Sequence, residues 1–167
     1  MPQNLPNDDT QAQMYLEAIE ILTDNNYEHY EISNFSLPNF ESRHNLNYWN
    51  NNSYYGFGVA AHGYINGVRY SNPVSVEKYL INPNKPKEEK LLTKQEQLEE
   101  EIFLGLRRRA GINIHDINKK FNIDFNCKYR DIITKYTKSG HIKNTTNGYK
   151  LTINGILVSN YILADFI

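Results

Sequence analysis

The 167-residue sequence is poor in sulfur, with one cysteine, Cys127, and two methionines. A single thiol excludes an internal disulfide and any metal site built from several thiolates, so Cys127, between Asn126 and Lys128, reads as a bystander. No apolar run approaches the length of a membrane span. The first ten residues, MPQNLPNDDT, have neither the basic start nor the apolar stretch of a secretion signal. A cytoplasmic location is the resulting expectation. No Ser/His/Asp arrangement, pair of catalytic carboxylates or zinc-ligand spacing stands out, so no residue is assigned a catalytic role.

What is present suits a folded chain. Hydrophobic residues make up 40% and aromatics 13%, ample for a core, and the length suits one domain, or one small domain plus part of another. The net charge of −1 hides an asymmetry. Residues 107–150 hold eleven Lys/Arg against Asp116, Asp124 and Asp131, a local surplus of eight positive charges, while the remainder has seven against sixteen and carries nine negative ones. Such a split implies two surfaces with different neighbours.

Residues 1–9 read as a loop. Thr10 and Gln13 form a capping-box pair, and Met14, Ala18, Ile21 and Leu22 supply a helical stripe to about Asn25. Alternation over 29–35 predicts a strand; a helix followed directly by a strand fits a late repeat of an α/β barrel. Residues 36–54, with Pro38 and five asparagines between 45 and 52, predict an ordered irregular loop. Two strands, 56–60 and 68–71, are expected around an Asn66-Gly67 turn of type I′. A short helix over 74–82 leads into a linker over 82–92. Thr93 and Glu96 then form a second capping box before Leu98, Ile102, Phe103 and Leu106, predicting a helix to Ala110 that Gly111 ends. Helices over 114–121 and 127–139, a hairpin at Asn147-Gly148 and a last helix over 153–166 complete the order of a winged helix. The fold expected is α+β: a partial TIM-like α/β barrel remnant over 1–81, then a winged-helix-like C-terminal domain over 93–167.

The stretch 27–72 is different in kind, crowding aromatic rings, asparagines, glycines and three histidines together with little aliphatic periodicity. The segments YEISNF (30–35), SRHNLNYW (42–49) and YYGFGVAAHGYINGVRYSN (54–72) resemble, in order and spacing, the HemN/HemW group of radical S-adenosylmethionine proteins. That group covers oxygen-independent coproporphyrinogen III oxidases and a related heme chaperone. The arrangement His44-Asn45-Leu46-Asn47-Tyr48 is an HNxxY motif, which in the chaperone branch is associated with heme binding. The resemblance implies a [4Fe-4S] cluster and S-adenosylmethionine in the parent protein, with heme or porphyrin gripped partly by 27–72. Cluster binding needs three cysteines in a CxxxCxxC loop, which this sequence lacks. The expectation is therefore a C-terminal piece of a longer protein, inactive in radical chemistry alone.

Through the resemblance, His44 is the candidate metal ligand, since a neutral imidazole binds heme iron through one nitrogen. Asn45 and Tyr48 would orient its ring or contact a propionate, Arg43 and Arg69 would grip carboxylates, and His62, between Ala61 and Gly63, would be a second ligand contact. Each has a plainer alternative: His44 bracing a loop through hydrogen bonds, the arginines in surface ion pairs, His62 packed for structure. Tyr54, Tyr55, Phe57, Tyr64 and Tyr70 either stack on the macrocycle or fill a gap between the two halves. The implied partners are a tetrapyrrole, heme-receiving client proteins, and a second copy covering exposed barrel edges. The rival reading takes 93–167 as a nucleic-acid-binding winged helix, with the positive surplus neutralising phosphates; the same charges also suit a basic lid over an anionic porphyrin.

Overall fold

The computed structural model describes residues 5–167, so residues 1–4 of the expected N-terminal loop lie outside the described residues. Helix α1 (Asp8–Asp24) starts from Asn7, whose side chain accepts the Thr10 N–H at 2.8 Å. Asp8 and Asp9 thereby fall in the first turn, where the helix dipole favours them; Thr10 is not the cap. The inward face is Tyr15, Leu16, Ala18, Ile19 and Leu22, whereas Met14 and Ile21 of the expected stripe are exposed.

The strand expected over 29–35 is a hairpin, β1 (Glu28–Glu31) antiparallel to β2 (Asn34–Ser36). Glu31 folds it: its fully buried carboxylate accepts the Ser33 N–H at 3.0 Å and a hydrogen bond from the Asn34 amide. An α/β barrel repeat requires parallel strands. Every strand pairing among the described residues is antiparallel, so α1 and β1 stand here without a parallel neighbour.

Helix α2 (Arg43–Trp49) occupies the middle of the expected loop. Strands β3 (His62–Ile65) and β4 (Val68–Ser71) follow, joined through Asn66 and Gly67 at φ 51° and 82°, both positive as a type I′ turn requires. The first strand thus lies later than 56–60, which is loop. Helix α3 (Val76–Ile81) matches the predicted short helix, but β5 (Glu88–Leu91) pairs with β4, so only the first half of the stretch 82–92 connects.

Helix α4 (Lys94–Gly105) carries the full capping box, Glu96 N–H on the Thr93 hydroxyl and Thr93 N–H on the Glu96 carboxylate. It buries Leu98 and Ile102, with Leu106 beyond its end. It stops five residues before Ala110, and the chain passes through β6 (Ile112–Asn113), which local sequence did not signal, into α5 (Ile114–Phe121). The helix expected over 127–139 is two, α6 (Phe125–Lys128) and α7 (Arg130–Lys138), with α6 capped by Asp124. Strands β7 (Ile142–Asn144) and β8 (Gly148–Leu151) form the hairpin, and β8 lies between β6 and β7. Gly148 belongs to the strand rather than the turn: a Cβ there would lie 2.2 Å from the Ile112 carbonyl oxygen. The closing helix is also divided, α8 (Ile153–Leu157) and α9 (Ser159–Ala164). The buried core cluster runs from Leu98 to Phe166, and Tyr15 and Ile32 pack against it from the first half. No helix among the described residues is long and apolar enough to cross a membrane.

Candidate functional site

Helix α2 is short but closed at both ends. The Ser42 hydroxyl accepts the Asn45 N–H at 3.3 Å. At the other end Asn51 takes φ 50°, its N–H bonding to Tyr48 O at 2.9 Å and the Asn52 N–H to Asn47 O at 3.1 Å, a Schellman motif made without glycine. A seven-residue helix is far below the length that is stable alone, so these caps and its packing hold it.

Helical spacing sets His44 and Tyr48 on one face, and their rings meet edge to face at 4.8 Å and 89°. His44 is exposed, and neither ring nitrogen has a hydrogen-bond partner among the described residues. It does not brace a loop. Arg43 is exposed beside it, and Asn45 is half-buried with its backbone N–H on the cap.

Tyr48 in turn meets Tyr54, 4.4 Å between centroids at 73°. Tyr54 is held by backbone bonds to Tyr64 in both directions, 2.7 and 2.9 Å, and its hydroxyl accepts Arg69 Nη1 at 3.2 Å. Arg69 directs its remaining donors at Glu100 on α4, Nε to Oε1 at 2.5 Å and Nη2 to Oε2 at 2.8 Å, with its guanidinium 4.7 Å over the Tyr64 ring. The Glu100 hydrogen bonds push the Arg69 pKa up despite partial burial, while burial first, then the Glu100 charge, raises that of Tyr64. Arg69 is therefore committed inside the fold, not to a ligand carboxylate.

The far end of α2 is held by the segment after α4. Asn50 accepts from Arg108 Nη1, and the Arg107 guanidinium lies 6.0 Å from the Trp49 ring and 4.4 Å from Phe103. The same residues seat the first hairpin: Ile32 N–H bonds to Arg107 O and Arg109 N–H to Tyr30 O, each at 3.0 Å. Burial lowers the pKa of all three arginines.

His62 lies on β3 opposite Ser71, exposed, and shares no hydrogen bond, ion pair or ring contact with α2 among the described residues. The loop before it is braced on three side chains. Gly56 N–H donates to the Tyr70 hydroxyl at 2.8 Å, Gly58 N–H to Tyr79 at 3.0 Å, and the Asn72 amide donates to both glycine carbonyls. Tyr55 and Phe57 project outward, stacked at 5.7 Å, at the edge of a cleft of about 620 Å³ that Tyr70, Tyr79 and Pro86 also line. That volume suits a small ligand.

The basic surplus is partly absorbed. Arg107, Arg108 and Arg109 are half-buried, Lys120 and Lys135 pair with Glu101 and Asp165 at 2.7 Å each, and Lys128 donates to Gln95. Lys119, Arg130, Lys138 and Lys143 remain exposed. No group of three or more His, Cys, Asp or Glu among the described residues is placed to hold a metal ion.

The arrangement is thus a chain of mixed helix and strand with a mostly helical second half, presenting the His44 imidazole on α2 without a hydrogen-bond partner among the described residues. Residues 92–158 match the family described as HemN C-terminal domain. Over 98% of its length the chain is 39% identical to heme chaperone HemW of Lactococcus lactis and 34% identical to that of Bacillus subtilis, spanning 44% of each. A solved structure titled as the Escherichia coli coproporphyrinogen III oxidase HemN, a radical SAM enzyme, shares the fold at a TM-score of 0.76 and 16% identity over 97% of this chain and 42% of that one. The chain belongs to the HemN/HemW group.

Proposed function

We propose that this chain is the C-terminal part of a heme- or porphyrin-handling protein of the chaperone branch, and that α2 offers His44 as an axial ligand to the iron of a heme carried as cargo. The observation that carries the reading is the state of His44: exposed, free of hydrogen bonds among the described residues and packed edge to face with Tyr48. An imidazole with both nitrogens open fits a single axial site, and Arg43, exposed next to it, fits a propionate. Asn45 and Tyr48 position the helix and ring; His62 has no part in this grip. The names of the two HemW relatives support the chaperone branch over the oxidase.

The cluster is another matter. Its three thiolates do not fit a chain whose one cysteine, Cys127, is exposed and lies after α4, and no chemical step is routed through it or through S-adenosylmethionine. The division into 1–81 and 93–167 is retained, with the join at 82–87. A winged-helix form for the second half is supported by its order of helix, strand, two helical stretches and hairpin. The partly absorbed charge of that half favours docking on an acidic partner or porphyrin face over a nucleic-acid duplex.

Hemin titrated into the 167-residue chain should give a Soret shift at one equivalent. His44→Ala should weaken binding about 10-fold or more, and added imidazole should restore the wild-type spectrum. Equal affinity in His44→Ala would refute the assignment.

A further inference from the structure

One ion pair links the second half of the chain to the ring that orients His44. We propose that Arg69 and Glu100 are positioning residues for the His44–Tyr48 pair, acting through Tyr54. The inference rests on the reading of α2 as an iron-ligating helix, and its geometry stands independently of it.

Four contacts connect α4 to His44. Glu100 sits two residues from Ile102, which is fully buried in the core, so its backbone is fixed. Both of its carboxylate oxygens engage Arg69, at 2.5 and 2.8 Å, in the bidentate geometry that sets the plane of a guanidinium. With that plane set, and with Tyr64 4.7 Å below it, Nη1 is directed at the Tyr54 hydroxyl at 3.2 Å. The Tyr54 ring packs on Tyr48 at 4.4 Å, and Tyr48 on His44 at 4.8 Å. The backbone of Tyr54 is held separately by its two bonds to Tyr64, so the Arg69 contact governs the side-chain torsion rather than the strand.

An exposed ion pair would contribute little and would orient nothing. This one is about two-thirds buried at both partners, with side-chain exposures of 32% and 27%, and guanidinium donors on all three nitrogens have acceptors. Lysine in place of Arg69 would keep the charge and lose the plane. A heme on His44 would thereby sense the seating of the second half against β4, which makes these two residues a coupling between the cargo helix and the helical module.

The test compares Tyr54→Phe, Arg69→Lys and Glu100→Gln with Lys135→Gln, which breaks the ion pair between α7 and Asp165 and touches no member of the series. In ligand-free protein, the His44 ring protons, assigned by NMR, should carry a ring-current shift from Tyr48, whose ring lies 4.8 Å away at 89°. Each of the three variants should change it and the Lys135 variant should not. Hemin affinity should fall about 3- to 10-fold in the same three, and the Tyr54→Phe/Glu100→Gln double variant should be no worse than the weaker single. Tyr54→Phe removes one oxygen only, so it carries the test if a charge variant does not fold. Unchanged ring signals, unchanged hemin affinity, or fully additive losses would overturn the proposal. If instead His44→Ala binds hemin as the wild type does, the iron-ligand reading fails, and the ring signals alone decide whether Arg69 and Glu100 orient His44.

Discussion

Tyr15 on α1 and His29 on β1 meet edge to face at 6.0 Å, and one hydroxyl joins them to the next turn of chain. The Tyr15 hydroxyl donates to Ile32 O at 2.6 Å, so the His29 contact at 3.3 Å requires Nε2–H as donor. Phe35 stacks on the other face of the imidazole at 4.4 Å, and the buried Nδ1 has no partner. The latch needs Tyr15 protonated, and protonating His29 would keep the Nε2–H bond but add a charge and a second N–H at the buried, unpartnered Nδ1.

Burial lowers the His29 pKa below 6.5 and pushes that of Tyr15 from 10.0 up to about 12. The unfolded chain therefore takes up the His29 proton first, so this contribution is full above 6.5 and declines as the pH falls from there. It likewise loses the Tyr15 proton first, so stability declines as the pH rises from 10.0 towards 12. Thermal unfolding midpoints followed against pH should show both limbs, with His29→Phe flattening the acid one between pH 7 and 5 and Tyr15→Phe the alkaline one. An acid limb unchanged in His29→Phe would count against this latch.

Thr93→Ala should destabilise the chain by about 1 kcal/mol in urea unfolding, the usual effect of losing a cap. Glu96 should report the same change: Lys90 and Thr93 hold its carboxyl down to about 2, and without the Thr93 hydroxyl its titration, read by NMR, should move towards 4.5.

Ile102→Ala should be far costlier, about 3–4 kcal/mol, because Ile102 is fully buried at the centre of the cluster and the cavity would have rigid walls. A loss under 1 kcal/mol in the same assay would show that the second half repacks.

Two glycines should separate conformation from space. Gly140, at φ 75° with open space around it, should tolerate alanine at about 1–2 kcal/mol, the left-handed penalty. Gly148 has an ordinary φ, but its added Cβ would strike Ile112 O, so Gly148→Ala should cost more and should weaken protection of the β6–β8 amides in hydrogen exchange.

The parts legible in the sequence are those fixed by neighbours along the chain. The Thr93 capping box, the Leu98–Ile102–Leu106 face, α5 and the Asn66-Gly67 turn are local codes. Helix α2 was hidden because its asparagines have weak helix propensity, yet Ser42 and Asn51 supply the ends that let it form. Strand β6 is two residues long and exists through pairing with β8, 35 or so positions later. His44 and Tyr48 could be picked out from the motif, and their i, i+4 spacing was a signal for a shared helical face. Their supports could not: Glu100 lies 31 positions from Arg69, and nothing periodic relates them.

A buried cluster drawn from 98–166 also has a consequence for synthesis. The ribosome delivers α2 and the first hairpin before Arg107, Arg108 and Arg109, which anchor them, exist. At ordinary elongation rates, roughly 4–15 s separate the exit of β5 from that of Phe166. Early in that interval the Ile32 N–H and the Tyr30 carbonyl lack the Arg107 and Arg109 backbone groups that take them in the folded chain, so the first hairpin is seated only after α4 has emerged.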